Sequence, residues 1–299
     1  MLFMVKDKSS LNVVIASFFL LFYIIYLVYD FNNQMTNDIK NFGLEKSLMV
    51  KTVEFDSVLL GGSNVAFSLS AQQLTNNTNH TWFNFGLSSE AFNDKNYWNY
   101  IDKTINKSKR SKVKLVIYSS ASPLKKGLIT SRELSIQNAW GEMPIGLLPK
   151  ISLFYRLKFL FENEKSTIYK KPVNRGDLNF EKIDCPQNFT YMFERETNEV
   201  LLYQWSEYQY DNIKRLFPNA EIIFVLPSEY YGEDYNQELS NTMRNLFSEI
   251  VLSVSEGRAK FINQNIFPNK EIICNSMLHG NIKGREWRTN ELIESLYSL

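Results

Sequence analysis

The chain has 299 residues, 44% of them apolar and 14% aromatic, with a formal net charge of +1. That length suits one large domain or two small ones. Basic and acidic residues balance at 33 against 32, and no basic stripe interleaved with aromatics marks a nucleic-acid partner. Two cysteines (Cys185, Cys274) and two histidines lack metal-ligand spacing, so neither a metal nor another cofactor is expected.

Residues 1–10 form a short tail. Residues 11–29 read LNVVIASFFLLFYIIYLVY, with no charge among them. About 19 residues at ~1.5 Å rise span the ~30 Å hydrocarbon core of a bilayer. The run shows no polar face, and Tyr23, Tyr26 and Tyr29 gather toward one end as an aromatic belt would. Lys6 and Lys8 precede it, and Asp30 and Asp38 follow. The positive-inside rule then puts the tail in the cytoplasm and the rest outside. A cleaved signal peptide fits less well, because the run is long and no small-x-small site follows it. The expectation is a single-pass inner (cytoplasmic) membrane protein with a periplasmic or otherwise extracytoplasmic domain. In such an oxidising compartment Cys185 and Cys274 could pair.

Residues 30–51 read as a polar spacer, and residues 52–299 as the domain. Five runs of strand length follow: 57–60 (SVLL), 82–85 (WFNF), 113–118 (VKLVIY), 221–226 (EIIFVL) and 259–262 (AKFI). Helical periodicity appears over 91–105, 200–217, 235–254 and 282–296. The Lys/Arg cluster at 107–114 reads as a solvated helix end or loop. Strand alternating with helix predicts a parallel sheet covered on both faces. Sites in such sheets lie at the carboxyl ends of the strands, here after Leu60, Phe85, Tyr118, Leu226 and Ile262. Residues 124–198, with Pro144, Pro149, Pro172 and Pro186, break the alternation. They read as an insertion that either shapes a site or forms a small packing subdomain.

The first strand ends in Leu59-Leu60-Gly61-Gly62-Ser63-Asn64. Two glycines permit a sharp turn, which would leave a hydroxyl at the sheet's carboxyl edge. Taken alone, such a stretch is also an ordinary turn and helix cap. Near the other end stands Cys274-Asn275-Ser276-Met277-Leu278-His279-Gly280-Asn281, then Gly284. A lone loop histidine is most often merely exposed. Yet a parallel sheet can bring this loop over the end of the first strand, where His279 would serve Ser63 as base.

Together these segments resemble the SGNH/GDSL hydrolases. Gly61-Gly62-Ser63 looks like the first block of that family. Asn84-Phe85-Gly86-Leu87 resembles the second, whose glycine amide helps form the oxyanion hole. His279-Gly280-Asn281 with Gly284 resembles the last. In detail, GGSNVAFSLSA and HGNIKGREWRT look like membrane-anchored members found near bacterial surface-polysaccharide genes. The resemblance implies a three-layer α/β/α fold with a five-stranded parallel (flavodoxin-like) sheet, preceded by one transmembrane helix. It implies serine-dependent acyl-ester hydrolysis or acyl, foremost acetyl, transfer on a cell-surface polysaccharide. Ser63 would be the nucleophile and His279 the base. The amides of Ser63 and Gly86 would form the oxyanion hole, with Ser120 standing in for an absent third-block Asn, and Asn64 would touch substrate. The family's acid lies three residues before the histidine, where this chain has Ser276, so Asn275 is left to orient the imidazole. The implied partners are a polysaccharide or acylated sugar, the membrane, and a membrane protein that delivers the acyl group. The two departures also support another class of function, a catalytically degenerate binding or assembly subunit of a polysaccharide machine.

Overall fold

The five apolar runs become the strands of one parallel sheet in a computed structural model that describes residues 34–87, 94–120, 172–180, 199–230, 237–274 and 276–299. Ser17, Phe18, Leu20 and Tyr23 are described as isolated positions, helical with exposed side chains. The rest of the expected anchor at 11–29 lies outside the described residues, as does the insertion at 124–198 apart from 172–180. Among the described residues no helix is long and apolar enough to cross a membrane.

In chain order the elements are α1 (Gln34–Met49), β1 (Ser57–Gly61), α2 (Ser63–Ser68), α3 (Ala71–Asn77), β2 (Trp82–Asn84), α4 (Asp94–Thr104), α5 (Lys107–Arg110) and β3 (Leu115–Ser119). Then come α6 (Glu199–Leu216), β4 (Glu221–Val225), α7 (Gln237–Val254), β5 (Ala259–Ile262), a short 3-10 turn (Lys270–Ile272) and α8 (Ile282–Tyr297). The strand order is β2-β1-β3-β4-β5, the doubly wound arrangement in which strand order reverses beside β1. Ser57 pairs with both Trp82 and Leu115, so the three strands around that reversal begin level, and β1 and β3 run two residues past β2.

Period-two alternation divides the strand side chains between two cores. Val58, Leu60, Val116, Tyr118, Ile222 and Phe224 face one cluster, roofed by Phe42 of α1, Trp98 and Ile101 of α4, Trp205 of α6 and Phe247 of α7. Leu59, Ile117, Ile223, Val225 and Ile262 face the other, with Val65 of α2, Leu74 of α3, and Leu292 and Ile293 of α8. Both faces are therefore covered, giving three layers. Each fully buried aliphatic side chain contributes about 1.5–3 kcal/mol relative to exposure.

One boundary needs correction. Residues 30–51 are not merely a spacer: α1 occupies most of them, and its Phe42 and Lys46 are fully buried against the domain. The packed unit thus begins ahead of residue 52. Residues 172–180 form a tight turn against β2. Asn84 N donates to Arg175 O, and the Arg175 guanidinium donates to Trp82 O. This turn covers the sheet edge that β2 would otherwise expose.

Candidate active site

β1 leaves the sheet at Gly61, whose φ is +141°. A Cβ there would lie 1.8 Å from the Ser119 carbonyl oxygen, so only glycine lets the chain turn beside β3. Gly62 caps α2, and Ser63 opens it, half-buried at the carboxyl edge of the sheet. The amides of Ser63 and Asn64 lie in the first helical turn, where a helix offers them no internal acceptor. The Val65 and Ala66 amides both donate to Gly62 O.

His279 arrives from the far end of the chain. Its Nε2 lies 2.8 Å from Ser63 Oγ. The imidazole stacks on Phe67, with ring centroids 4.2 Å apart and planes 7° from parallel. Phe67 stands four residues after Ser63, hence on the same face of α2. The next residue, Ser68, holds the histidine loop on both sides. Its hydroxyl donates to Leu278 O at 3.2 Å and accepts from Gly280 N at 2.8 Å. His279 O accepts from Cys274 N, and His279 N donates to Ser276 O. Cys274 is disulfide-bonded.

The other expected site residues fall differently. Gly86 does not offer its amide to the pair: its N–H donates to Asn84 Oδ1 at 2.8 Å. Its carbonyl accepts from Lys46 Nζ at 2.8 Å. The Leu87 amide is likewise taken, by Gly61 O. The glycine has a packing reason instead, since a Cβ there would lie 2.4 Å from Ala66 N. Asn64 does not face a substrate. It is 2% exposed, its side-chain amide donates to Ser119 Oγ at 2.8 Å, and its carbonyl accepts from Arg288. Ser119 is thus a β3 hydroxyl tied to the Ser63 turn, and Ser120 follows it, half-buried. Asn275 lies outside the described residues. Ser276, three residues before His279, accepts the Leu278 amide at 3.2 Å.

Four residues around the pair and its neighbouring loop are not singled out by the sequence: Phe67, Ser68, Lys46 and Arg288. Phe67 and Ser68 carried a signal, since a helix opening at Ser63 turns its fourth residue back to the same face. Arg288 carried one too, because Gly284, Arg288 and Leu292, spaced four residues apart, form a buried stripe along α8. Lys46 is fully buried, and burial pushes its pKa down from 10.5 to about 7, with Asp177 opposing that shift.

A cleft of about 590 Å³ opens beside the start of α8, lined in part by Phe180, Glu271, Asn281, Lys283 and Arg285. Phe180 meets Phe67 edge-on, with centroids 6.1 Å apart, so the cleft lies one ring beyond the ring on which His279 stacks.

Comparison with protein-family models and with curated proteins finds no match. Among solved structures, the chain is similar to a Streptococcus pneumonia protein described provisionally as a platelet activating factor. The identity is 13% and the TM-score 0.48, covering 91% of this chain and 99% of that one. It is also similar to an acetyl xylan esterase from the rumen bacterium Butyrivibrio proteoclasticus. There the identity is 10% and the TM-score 0.40, over 82% of this chain and 64% of the other. Neither likeness is close enough to carry a residue role or a substrate to this chain.

Proposed function

We propose that the protein performs serine-dependent acyl-ester chemistry, releasing or transferring an acyl group, foremost acetyl, on a cell-surface polysaccharide. The observation that carries this reading is the 2.8 Å contact between Ser63 Oγ and His279 Nε2. Nucleophile and base within hydrogen-bond reach, with the base oriented by further groups, is the arrangement acyl transfer needs. Ser63 Oγ attacks the ester carbonyl carbon while its proton passes to His279 Nε2. The resulting oxyanion lies toward the first-turn amides of α2, the Ser63 amide among them. Collapse expels the sugar hydroxyl, which takes the proton from His279. Water then resolves the acyl-serine in a hydrolase, and a second sugar hydroxyl does so in a transferase. The 590 Å³ cleft beyond Phe67 is the proposed seat of the sugar.

The proposed setting is extracytoplasmic, with residues 11–29 as the anchor and a membrane protein as acyl donor in the transferase case. The uncharged apolar run supports it, and so does the disulfide at Cys274, since such bonds persist in oxidising compartments. One observation favours the second reading, a degenerate binding or assembly subunit: the Gly86 amide is spent on Asn84 rather than held ready for an oxyanion.

The test is a burst assay with 4-nitrophenyl acetate on the full-length chain, beside Ser63→Ala and His279→Ala. The expected result is a burst in the parent and a loss of roughly 10³-fold or more in each variant. A parent no faster than Ser63→Ala, on this ester and on acetylated polysaccharide alike, would select the binding-subunit reading.

A further inference from the structure

Arg288 is fully buried on the inner stripe of α8. Its guanidinium donates to Gln264 Oε1 at 2.7 Å, to Asn64 O at 2.7 Å and to Ser119 Oγ at 3.0 Å. All three acceptors are neutral. A buried charge held by neutral partners is costly to a fold, and a well-packed apolar side chain would commonly serve stability as well or better. The location supplies a reason for keeping it. Asn64 directly follows the nucleophile, and Ser119 ends the strand beside it. One guanidinium thus joins the nucleophile's turn, the end of β3 and the loop after β5.

We propose that Arg288 is a positioning residue for the Ser63–His279 pair: it fixes the Ser63 turn through Asn64 and Ser119, and its positive charge favours negative charge at Ser63 over positive charge at His279. This rests on the reading of Ser63 as nucleophile and His279 as base. A cation one residue from the nucleophile lowers the energy of the oxyanion and disfavours the imidazolium, so the base rests neutral and ready. A carboxylate behind the imidazole would do the reverse and stabilise its charged form. The ionisable groups on the surrounding elements include Arg244 on α7, Glu229 after β4, Glu271 in the 3-10 turn, Asp177 in the 172–180 turn, Arg285 on α8 and Lys46 on α1. Glu229 and Arg244 are buried, and Glu271 is exposed. Of these, Arg244 acts on Arg288 with the same sign. Burial first, then that repulsion, bring the Arg288 pKa down to about 9, which leaves it charged at neutral pH.

Histidine count makes the experiment direct, because His80 and His279 are the only two imidazoles. The full-length chain is labelled with ¹³C-histidine, and both are titrated in the parent, Arg288→Met and Arg288→Lys. His279→Ala assigns the signals. In Arg288→Met the His279 midpoint is expected to rise by about one pH unit, while in Arg288→Lys it stays near the parent and His80 stays put in both. With 4-nitrophenyl acetate, kcat of Arg288→Met should fall about 10²-fold with KM held within about threefold. An unmoved His279 midpoint in Arg288→Met, with both variants equally impaired, overturns the proposal in favour of plain scaffolding. Should Arg288→Met fail to fold, Arg288→Gln replaces it, and failure of both neutral variants likewise decides for scaffolding. Should the parent show no Ser63-dependent turnover, the proposed activity falls, and the titration alone decides the role of the charge.

Discussion

The loops after β1 and β2 leave the same edge of the sheet, side by side, and both resemble blocks of one site. They use their polar groups in opposite ways. After β1, the Ser63 hydroxyl meets a group from the far end of the chain, at His279. After β2, the groups close on one another: Gly86 N–H on Asn84, Leu87 N–H on Gly61 O, Asn84 Nδ2 on Leu69 O. One loop presents a reactive atom, and the other builds the wall behind it. A motif fixes residue types and their place on the edge. Which way a peptide points depends on which neighbour captures it, and here a side chain two residues back captures Gly86.

The contrast breaks most visibly through Lys46, which holds the carbonyl of the same Gly86 peptide. Its folded pKa of about 7 lies below the unfolded 10.5, so between those values the unfolded chain binds the extra proton. Stability should therefore rise with pH from about 7 toward 10.5, and the penalty of burying the charge is complete below about pH 7. The span amounts to a few kcal/mol, on the order expected for a shift of this size. Urea midpoints across pH 6–10 should show that rise in the parent and lose it in Lys46→Met. A flat parent profile would mean that Lys46 is not held in the neutral form.

Asn84→Ala comes next in size. It strands the Gly86 amide and takes a donor from Leu69 O, Val65 O and Asp177 Oδ1, so it should cost about 1–3 kcal/mol in denaturant unfolding. Activity of the folded variant should change by less than roughly threefold if the second loop is wall and not machinery. A kcat change beyond about 10²-fold would restore Gly86 to the oxyanion site.

The smallest effect sharpens the first loop. Phe67→Leu removes the flat surface under His279 and leaves a small gap at a fully buried position. We expect kcat to fall about tenfold through lost orientation, with a loss of about 1 kcal/mol in denaturant unfolding from the smaller side chain. Phe67→Tyr should retain the stack and most of the rate. Equal kcat in Phe67→Leu and the parent would show that the stack does not orient the base.

Much of this molecule was legible in advance, and the illegible parts share a cause. All five strands were readable because apolar runs of strand length, bounded by turns, carry their own signal. α4, α6, α7 and α8 were readable from their spacing. α1 was not, because Lys46 sits where a core residue belongs and a lysine reads as surface. Arg288 was hidden for the same reason in a helix otherwise foreseen. Ser63 and His279 stood out because a glycine turn and a scarce residue type are visible in one dimension. Asn64 was misread as facing substrate because adjacency to a nucleophile says nothing of which side of the helix a residue occupies. The pairing of Cys274 was left open, since cysteine spacing does not reveal distance in space.

α2 is only six residues long, yet it carries Ser63 at its first position and the seat of His279 at its last two. Reach and aim are therefore gauged by one rigid splint. If the sheet breathes or a substrate pushes on the edge, hydroxyl and imidazole travel together, and the gap between them is preserved. A change in length in a loop between Ser63 and His279 would thereby leave that gap as it is.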